Sequence, residues 1–567
     1  QKKMVSALKE SGQLEKTEPY THSVGRSERT NVVVEPRLSL QWYVRMAELA
    51  RPARDAVEDD VIEFFPKNQK NTFRHWMDTI RDWCISRQLW WGHRIPAYYF
   101  EGETFVAVTA VEALAQARTK TGRQDLTLAD LTQDEDVLDT WFSSWLWPFS
   151  VFDGMDSNPD VDYYYPTSVL VTGWDIIFLW VARMAMSGFQ WKKERPFKHV
   201  YFHGMVRDQQ RRKMSKSLGN SPDALKLLDQ FGADGVRFGI LSSAPAGGDL
   251  LFDEKLCEQG RNFCNKIWNA LRLIKGWEQN LNMTAESTPA ELKAIEWAEA
   301  KTQVLLETIA GDFDSYRLSD IQMKIYSFIW SDFCSWYLEW IKPGKDEPLS
   351  KATYDRTIDL FSTLMQVLHP FMPFITEEVW HELNGENRGD CMVSPFPAST
   401  PYDEEILETM EHLKEVIAKT RDLRNKNNLK PREALPMYML QSKRAVRVLA
   451  DPGYLGLLQK SASLNSVSIV EIVPDQSNDE NLLSFVVGTD KYYLSSPKII
   501  DVAEELKTLK EDLVYQEGFV KSIRKKLDND RFVSNAPEAV VDKERQKLAD
   551  GEKRIEMLKE SLARLVN

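Results

Sequence analysis

The chain has 567 residues, a formal net charge of −13, 43% hydrophobic and 28% charged residues. That length is too great for one core, and three or four domains are expected from an ordinary folded composition. No apolar run approaches the roughly 20 residues of a membrane span, no signal peptide opens the chain, and an acidic chain that binds phosphate must gather its cations locally.

Residues 1–36 combine a short helix with the polar segment Thr21 to Arg29, and residues 37–100 read as helices, including Phe73 to Arg81. An α/β stretch follows, in which Ser168 to Thr172 is a short apolar run leading through Gly173 into a helix that lasts to Arg183. A second run, His199 to His203, precedes a basic loop and two helices ending near Ser243. Short strands alternating with helices imply a parallel sheet with ligands at the carboxyl ends of its strands. From Asp253 to about Leu383 the pattern is helical, with apolar spacing through Phe263, Ile267, Trp268 and Leu271 and again through Phe333, Tyr337 and Trp340. These aromatic residues suit a bundle core better than base-stacking platforms. A smaller mixed unit carries strand-like runs at Ser466 to Val473 and Leu483 to Val487.

The last segment is a distinct signal. Val502, Leu506, Leu509, Leu513, Gln516, Val520, Ile523 and Leu527 alternate spacings of four and three, and Val541, Leu548, Ile555 and Leu562 repeat every seven after a polar turn. This predicts an antiparallel coiled-coil hairpin. Its tip is basic, with Lys521, Arg524, Lys525, Lys526 and Arg531; on pattern alone a dimerisation zipper is nearly as good a reading.

The cysteines at 84, 257, 264, 334 and 391 are odd in number and lack Cys-x-x-Cys spacing, so reduced thiols in a reducing cytoplasm are expected and no zinc knuckle is supported. His199 and His203 share a strand face without a third ligand, so no bound metal is expected there.

The strongest chemistry lies in Lys213-Met214-Ser215-Lys216-Ser217-Leu218-Gly219-Asn220, two lysines three apart on a polar loop. Ser221 is placed to cap the next helix, with Pro222 at its first position. Lysine is a compact mobile cation suited to a phosphate whose charge moves during reaction. A charge run is ordinarily a solvated face. The full string instead resembles the KMSKS signature of class I aminoacyl-tRNA synthetases.

Three more strings narrow the resemblance. Trp83 to Pro96 (WCISRQLWWGHRIP) resembles the re-entry block after an editing insertion, while Asp136 to Ser144 (DVLDTWFSS) and Thr172 to Trp180 (TGWDIIFLW) resemble the amino-acid pocket of the valyl-tRNA synthetase family. That resemblance implies the C-terminal half of a class I Rossmann-type catalytic domain in 37–252, after the exit segment of an editing insertion in 1–36. It further implies a helical anticodon-binding domain in 253–400, a small mixed α/β unit in 401–498 and a coiled-coil tRNA-binding arm in 499–567. Lys213 and Lys216 would hold the ATP phosphates during attack by the amino acid's carboxylate. Ser215, Ser217, His203 and Gly204 belong to the nucleotide side, the serines in a structural role first. Trp141, Ile176 and Trp180 would line a valine pocket with Asp175 as polar neighbour. Arg421, Arg424, Lys426, Lys430 and Arg432, with the basic tip, would meet tRNA phosphates. ATP implies magnesium; valine and its tRNA are the implied partners, and the protein is expected as a cytoplasmic monomer.

The family's His-x-Gly-His signature does not occur in these 567 residues, so the chain alone is expected to bind tRNA without activating valine. A truncated tRNA-binding paralogue and an isoleucine-type synthetase are the alternatives. The absence of paired C-terminal cysteines disfavours the isoleucine type.

Overall fold

The computed structural model describes residues 2–27, 30–36, 38–215, 218–244, 248–344, 347–385, 388–431, 433–472, 481–496, 502–529, 532–533 and 538–566. It comprises two compact units, one made of Gln1–Phe64, Asn68–Leu170 and Asp175–Val200, the other of Phe65–Lys67, Val171–Trp174 and Tyr201–Asn567.

In the first unit the sequence reading is half correct. Helices occupy Ala47–Glu58 and Gln69–Asp78, but short strands follow at Trp83–Cys84, Ser86–Arg87 and Ala97–Phe100 where helix was expected. Gly92 and Pro96 interrupt any helical run there, and the aromatic Tyr98-Tyr99-Phe100 suits a pleated surface. Ala97–Phe100 pairs antiparallel with both Glu103–Val106 and Thr132–Gln133. The helix Ala110–Thr121 shares a small core with this sheet through Ala113, Leu114, Ala117, Tyr98 and Phe105. Thr109 caps that helix by accepting the Glu112 N–H, and Gly122 ends it at φ 76°.

Three strands form the next sheet: β1 (Glu63–Phe65), β2 (Thr167–Gly173) and β3 (Phe197–His203), in the order β1-β3-β2. The Thr167 N–H donates to the Pro196 carbonyl at 2.9 Å, so β2 and β3 start side by side and run the same way. The helical crossover between them begins with a single tight turn, Trp174–Ile176. It then widens into π-helical Ile177–Ala182, becomes α-helical over Arg183–Ser187, and widens again at Gly188–Lys192.

In the second unit the helix after the lysine loop is Ala224–Phe231, capped by Asp223, which accepts the Leu225 N–H at 3.0 Å. The cap expected at Ser221 is therefore displaced, and Pro222 precedes the helix. Asp223 offers a shorter reach to the first free N–H groups. After helix Ala233–Ser242 comes the bundle: α1 (Glu254–Trp277), α2 (Pro289–Asp314), α3 (Lys351–Leu368) and α4 (Glu404–Lys426). A ten-residue π-helical stretch, Phe328–Tyr337, carries Phe333 and Tyr337 into the core. Phe263, Ile267 and Leu271 are buried as expected, whereas Trp268 is 37% exposed and stands outside it. Asp234 joins this helix pair to the bundle by accepting the Ile375 N–H at 2.6 Å, capping Pro373–Asn384.

The mixed unit is a four-stranded sheet of β4 (Leu435–Leu440), β5 (Leu464–Val470), β6 (Asn481–Val487) and β7 (Asp490–Ser496), ordered β5-β4-β7-β6. β4 and β5 are parallel and the other pairs antiparallel. Two of these strands, β4 and β7, fall outside the strand-like runs of the sequence. The described side chains of β7 are buried, including Asp490 and Lys491, so it lacks the polar alternation that marks a half-exposed strand.

The terminal hairpin pairs α5 (Val502–Leu527) with α6 (Glu538–Val566). Ion pairs Glu517–Lys559 and Arg524–Glu552 show it to be antiparallel, since one number rises as the other falls. Leu509, Gln516, Val520 and Ile523 of α5 are buried, as are Val541 and Leu558 of α6. Gly551 lets the helices approach closely, because a Cβ there would stand 2.7 Å from Val520 Cγ2.

Candidate functional site

The lysine loop leaves the end of β3 and folds back on itself. Val206–Arg207 pairs parallel with Leu250–Leu251, and Arg207 bridges antiparallel to Lys213. Gly204 lies where the chain has no room for a side chain: a Cβ would come within 1.5 Å of the Gly248 carbonyl oxygen. Asp249 accepts hydrogen bonds from the Met205 N–H and from the Arg207 guanidinium.

Asp208 and Asn220 hold the loop's two limbs. The Asp208 carboxylate accepts the Asn220 amide at 3.0 Å, the Arg212 N–H at 2.9 Å and the Arg212 Nε at 2.8 Å. The Asn220 amide also reaches the Lys213 carbonyl at 3.2 Å, and its oxygen accepts the Ser215 N–H at 3.0 Å. Those donors, the Asn220 amide foremost, lower the Asp208 pKa to about 2, so it is anionic throughout the neutral range. Lys213 is exposed and Ser215 half-buried, with its Oγ accepting the Leu218 N–H at 3.3 Å. Lys216 and Ser217 lie outside the described residues. His203 is exposed beside its own Gly204 carbonyl, and His199 Nε2 stands 3.6 Å from Glu63. Sequence reasoning misses the Asp208–Asn220 clip, because the pairing spans twelve positions with no periodic signature.

The expected amino-acid pocket belongs to the first unit. Trp141 and Trp180 meet edge to face, with centroids 5.0 Å apart at 84°. Both are half-buried, as is Ile176, and Asp175 is exposed. Around them the aromatic packing is dense: Trp83 contacts Phe142 and Trp145, and Phe178 stacks on Trp76 at 4.7 Å. Asp139 accepts the Trp83 Nε1–H at 3.1 Å and pairs with Arg87 at 3.2 Å. Of the four expected pocket residues, Trp141 on helix Thr140–Ser144 and Trp180 on the crossover pack together, and Ile176 lies four residues before Trp180 on the same crossover.

The expected RNA-facing cations divide. Arg421, Lys426 and Lys430 are exposed, Lys426 pairing with Asp422 at 3.2 Å. Arg424 is corrected: at 3% exposure its guanidinium donates to the carbonyls of Lys430 (2.8 Å) and Glu433, so it is a structural clasp out of a phosphate's reach. Burial pulls its pKa below the usual range. Arg432 and Arg531 lie outside the described residues. At the hairpin tip Lys521 and Lys525 are exposed, while Arg524 and Lys526 pair with Glu552 and Glu544.

Among the described residues one group has metal-ligand proximity: Glu377, His381 and Asp390. Its Glu377 carboxylate accepts the Cys391 and Met392 N–H groups, which accounts for the cluster as a loop clasp.

Three family matches cover the chain in succession. Residues 6–253 match the tRNA synthetases class I (I, L, M and V), 296–439 the anticodon-binding domain of tRNA ligase, and 501–566 the valyl tRNA synthetase tRNA binding arm. All three matches are to tRNA synthetase families, and the last of them is valyl. It is 48% identical to valine–tRNA ligase of Bacteroides fragilis over 100% of its own length and 64% of that relative. It is 50% identical to the same enzyme of Bacteroides thetaiotaomicron, covering 63% of it, and 38% identical to that of Clostridium perfringens, again covering 63%. The chain thus spans a little under two thirds of these relatives. Among solved structures, a LeuRS of Agrobacterium radiobacter K84 aligns with 16% identity and a TM-score of 0.45, over 73% of this chain and 52% of that one. That likeness is too loose to locate any residue. Along the chain, the arm match coincides with the α5–α6 hairpin, and the anticodon-domain match runs from within α2 to within β4.

Proposed function

We propose that the protein carrying this chain is a valine–tRNA ligase, activating valine with ATP and transferring it to the 3′ end of its tRNA. The observation that carries this reading is the 48–50% identity to Bacteroides valine–tRNA ligases along the whole chain, with the valyl tRNA-binding arm among its family matches.

In this reading Lys213 and Lys216 hold the ATP phosphates while the valine carboxylate attacks the α-phosphorus and pyrophosphate leaves. Such transfer depends on positioning and charge stabilisation, which mobile cations on a braced loop supply. The Asp208–Asn220 clip fixes the two limbs of the loop on which the lysines stand. Ser215 braces the turn through Leu218, and His203 and Gly204 begin the loop. Magnesium would arrive with ATP on its phosphates: the loop's own acid, Asp208, is already committed to Arg212 and Asn220. Trp141, Ile176 and Trp180 would wall the valine side chain, with Asp175 at the polar end. A stiff apolar wall rejects larger side chains but discriminates only weakly against an isostere, and valine against threonine in this class of enzyme is the known case of that limit. Exposed Arg421, Lys426, Lys430, Lys521 and Lys525 would meet tRNA phosphates.

A cytoplasmic monomer is the setting we propose. No described helix is long and apolar enough to cross a membrane, and burial pushes the Cys264 and Cys334 thiols up to about 12 and about 11, which suits inert reduced cysteines. The test is amino-acid-dependent exchange of pyrophosphate into ATP by the natural-length protein. Valine should support it well above isoleucine; a preference for isoleucine would move the chain to the isoleucine type.

A further inference from the structure

Beside the Trp141–Trp180 corner lies a cation that no sequence pattern marks. Arg183 is 6% exposed, and its Cζ stands 3.9 Å from the Trp83 ring centroid, 5.5 Å from Phe178 and 5.7 Å from Trp141. Its Nε and Nη1 are buried without a hydrogen-bond partner among the described residues. Burial lowers its pKa to about 10, against the opposing pull of Asp139.

A guanidinium taken out of water loses several kcal/mol of hydration and is normally compensated by a carboxylate and hydrogen bonds. Here Asp139 gives its oxygens to the Trp83 indole and to Arg87. What Arg183 engages is ring faces. A desolvated cation over an indole is attracted by the negative face of the ring, and one cation against three rings ties their orientations together. Of those rings, Trp141 packs directly on Trp180, and Phe178 sits two residues from each of Ile176 and Trp180 on the same crossover. A π-helical turn widens the backbone at that point and lets Phe178 stack outward on Trp76. The wall is thus held from behind by charge as well as by packing.

We infer that Arg183 is a positioning residue for the amino-acid pocket: its cation, held on the faces of Trp83, Phe178 and Trp141, sets the place of the Trp141 wall and so the size limit for the bound side chain, without touching the substrate. This rests on the assignment of Trp141, Ile176 and Trp180 to the valine pocket.

The test compares Arg183→Met and Arg183→Lys in the natural-length protein. Replacing a buried charge by an apolar side chain of similar volume is often neutral or stabilising, so Arg183→Met is expected to fold with an unchanged or higher Tm. Its KM for valine should rise about tenfold with KM for ATP unchanged, and its preference for valine over isoleucine should fall about tenfold, within the range one methylene commands. The near-ultraviolet circular dichroism of the tryptophans should weaken, and Arg183→Lys, which keeps the cation, should restore most of each property. A folded Arg183→Met with wild-type KM for valine and wild-type selectivity would overturn the inference. So would an equal loss in every kinetic constant accompanied by a lower Tm, the mark of a merely structural residue. Wild-type protein without valine-dependent exchange would instead remove the pocket assignment and the inference with it.

Discussion

The side-chain amide of Asn220 donates to the carboxylate of Asp208 at 3.0 Å and to the Lys213 carbonyl at 3.2 Å, so one residue fastens both limbs of the lysine loop. Its carbonyl oxygen completes the clasp at the Ser215 N–H. Asn220→Ala should release the loop without unfolding the protein. The expected result is a tenfold to roughly hundredfold fall in kcat for pyrophosphate exchange, since each lost hydrogen bond contributes about 1 kcal/mol. KM for valine should hardly change. An unaltered kcat would show that the clip does not position the lysines.

The same clip sets a pH dependence. Asp208 titrates near 2 in the folded chain, held down by the Asn220 amide and by Arg212, and an unperturbed aspartate titrates near about 3.9. A lowered carboxylate pKa contributes stability that is complete above the unfolded value and is lost as pH falls toward the folded one. Protection of the Arg212 and Ser215 amides against hydrogen exchange should therefore hold from neutrality to about pH 4 and decline below it. Asp208→Asn should remove the acid-dependent step; its persistence would place the titrating group elsewhere.

Arg424 and Lys430 belong to one basic cluster in sequence and to two roles in space. Arg424→Ala should destabilise the fold by about 2–4 kcal/mol in chemical denaturation, because a buried charged donor leaves several carbonyls behind. Lys430→Ala should stay within about 0.5 kcal/mol of wild type and weaken tRNA binding, reducing the salt slope by about one. Equal stability losses would contradict the division.

Exposed Lys521 and Lys525 at the hairpin tip should act through phosphates. Changing both to alanine is expected to lower the slope of log affinity against log salt by nearly two, in fluorescence titrations with tRNA. An unchanged slope would leave the hairpin without an RNA role.

Gly551→Val tests the hairpin seam itself. The added side chain would meet Val520, whose Cγ2 is already 2.7 Å from an ideal Cβ at this position. Overpacking of that kind costs about 1–3 kcal/mol, so the hairpin should melt earlier and bind tRNA more weakly, with pyrophosphate exchange retained.

Much of this was legible in residue patterns. The β2 and β3 runs, the lysine string and the α5–α6 spacings each carry their information locally, in periodicity or in a contiguous motif. What was not legible is carried by distance. Asp208 and Asn220 are ordinary polar residues until the loop closes. Arg424 reads as one more surface cation, because burial depends on which carbonyls fold around it. Ser221 lost the cap to Asp223 through a two-residue choice that local propensity leaves open, and the segment from Trp83 to Phe100 became strand because its partners lie at Tyr43–Val44, Val137–Leu138 and Glu103–Val106. Arg183 is the extreme case, a charge whose partners are three rings from three separate stretches of chain.

Charging of tRNA by the natural-length protein, with valine, isoleucine and threonine offered separately alongside Lys216→Ala, tests the proposed ligase most directly. Stable charging is expected with valine alone, and a Lys216→Ala variant should still bind tRNA while its activation step falls by orders of magnitude. Charging with isoleucine in place of valine, or full activity without Lys216, would contradict the proposal.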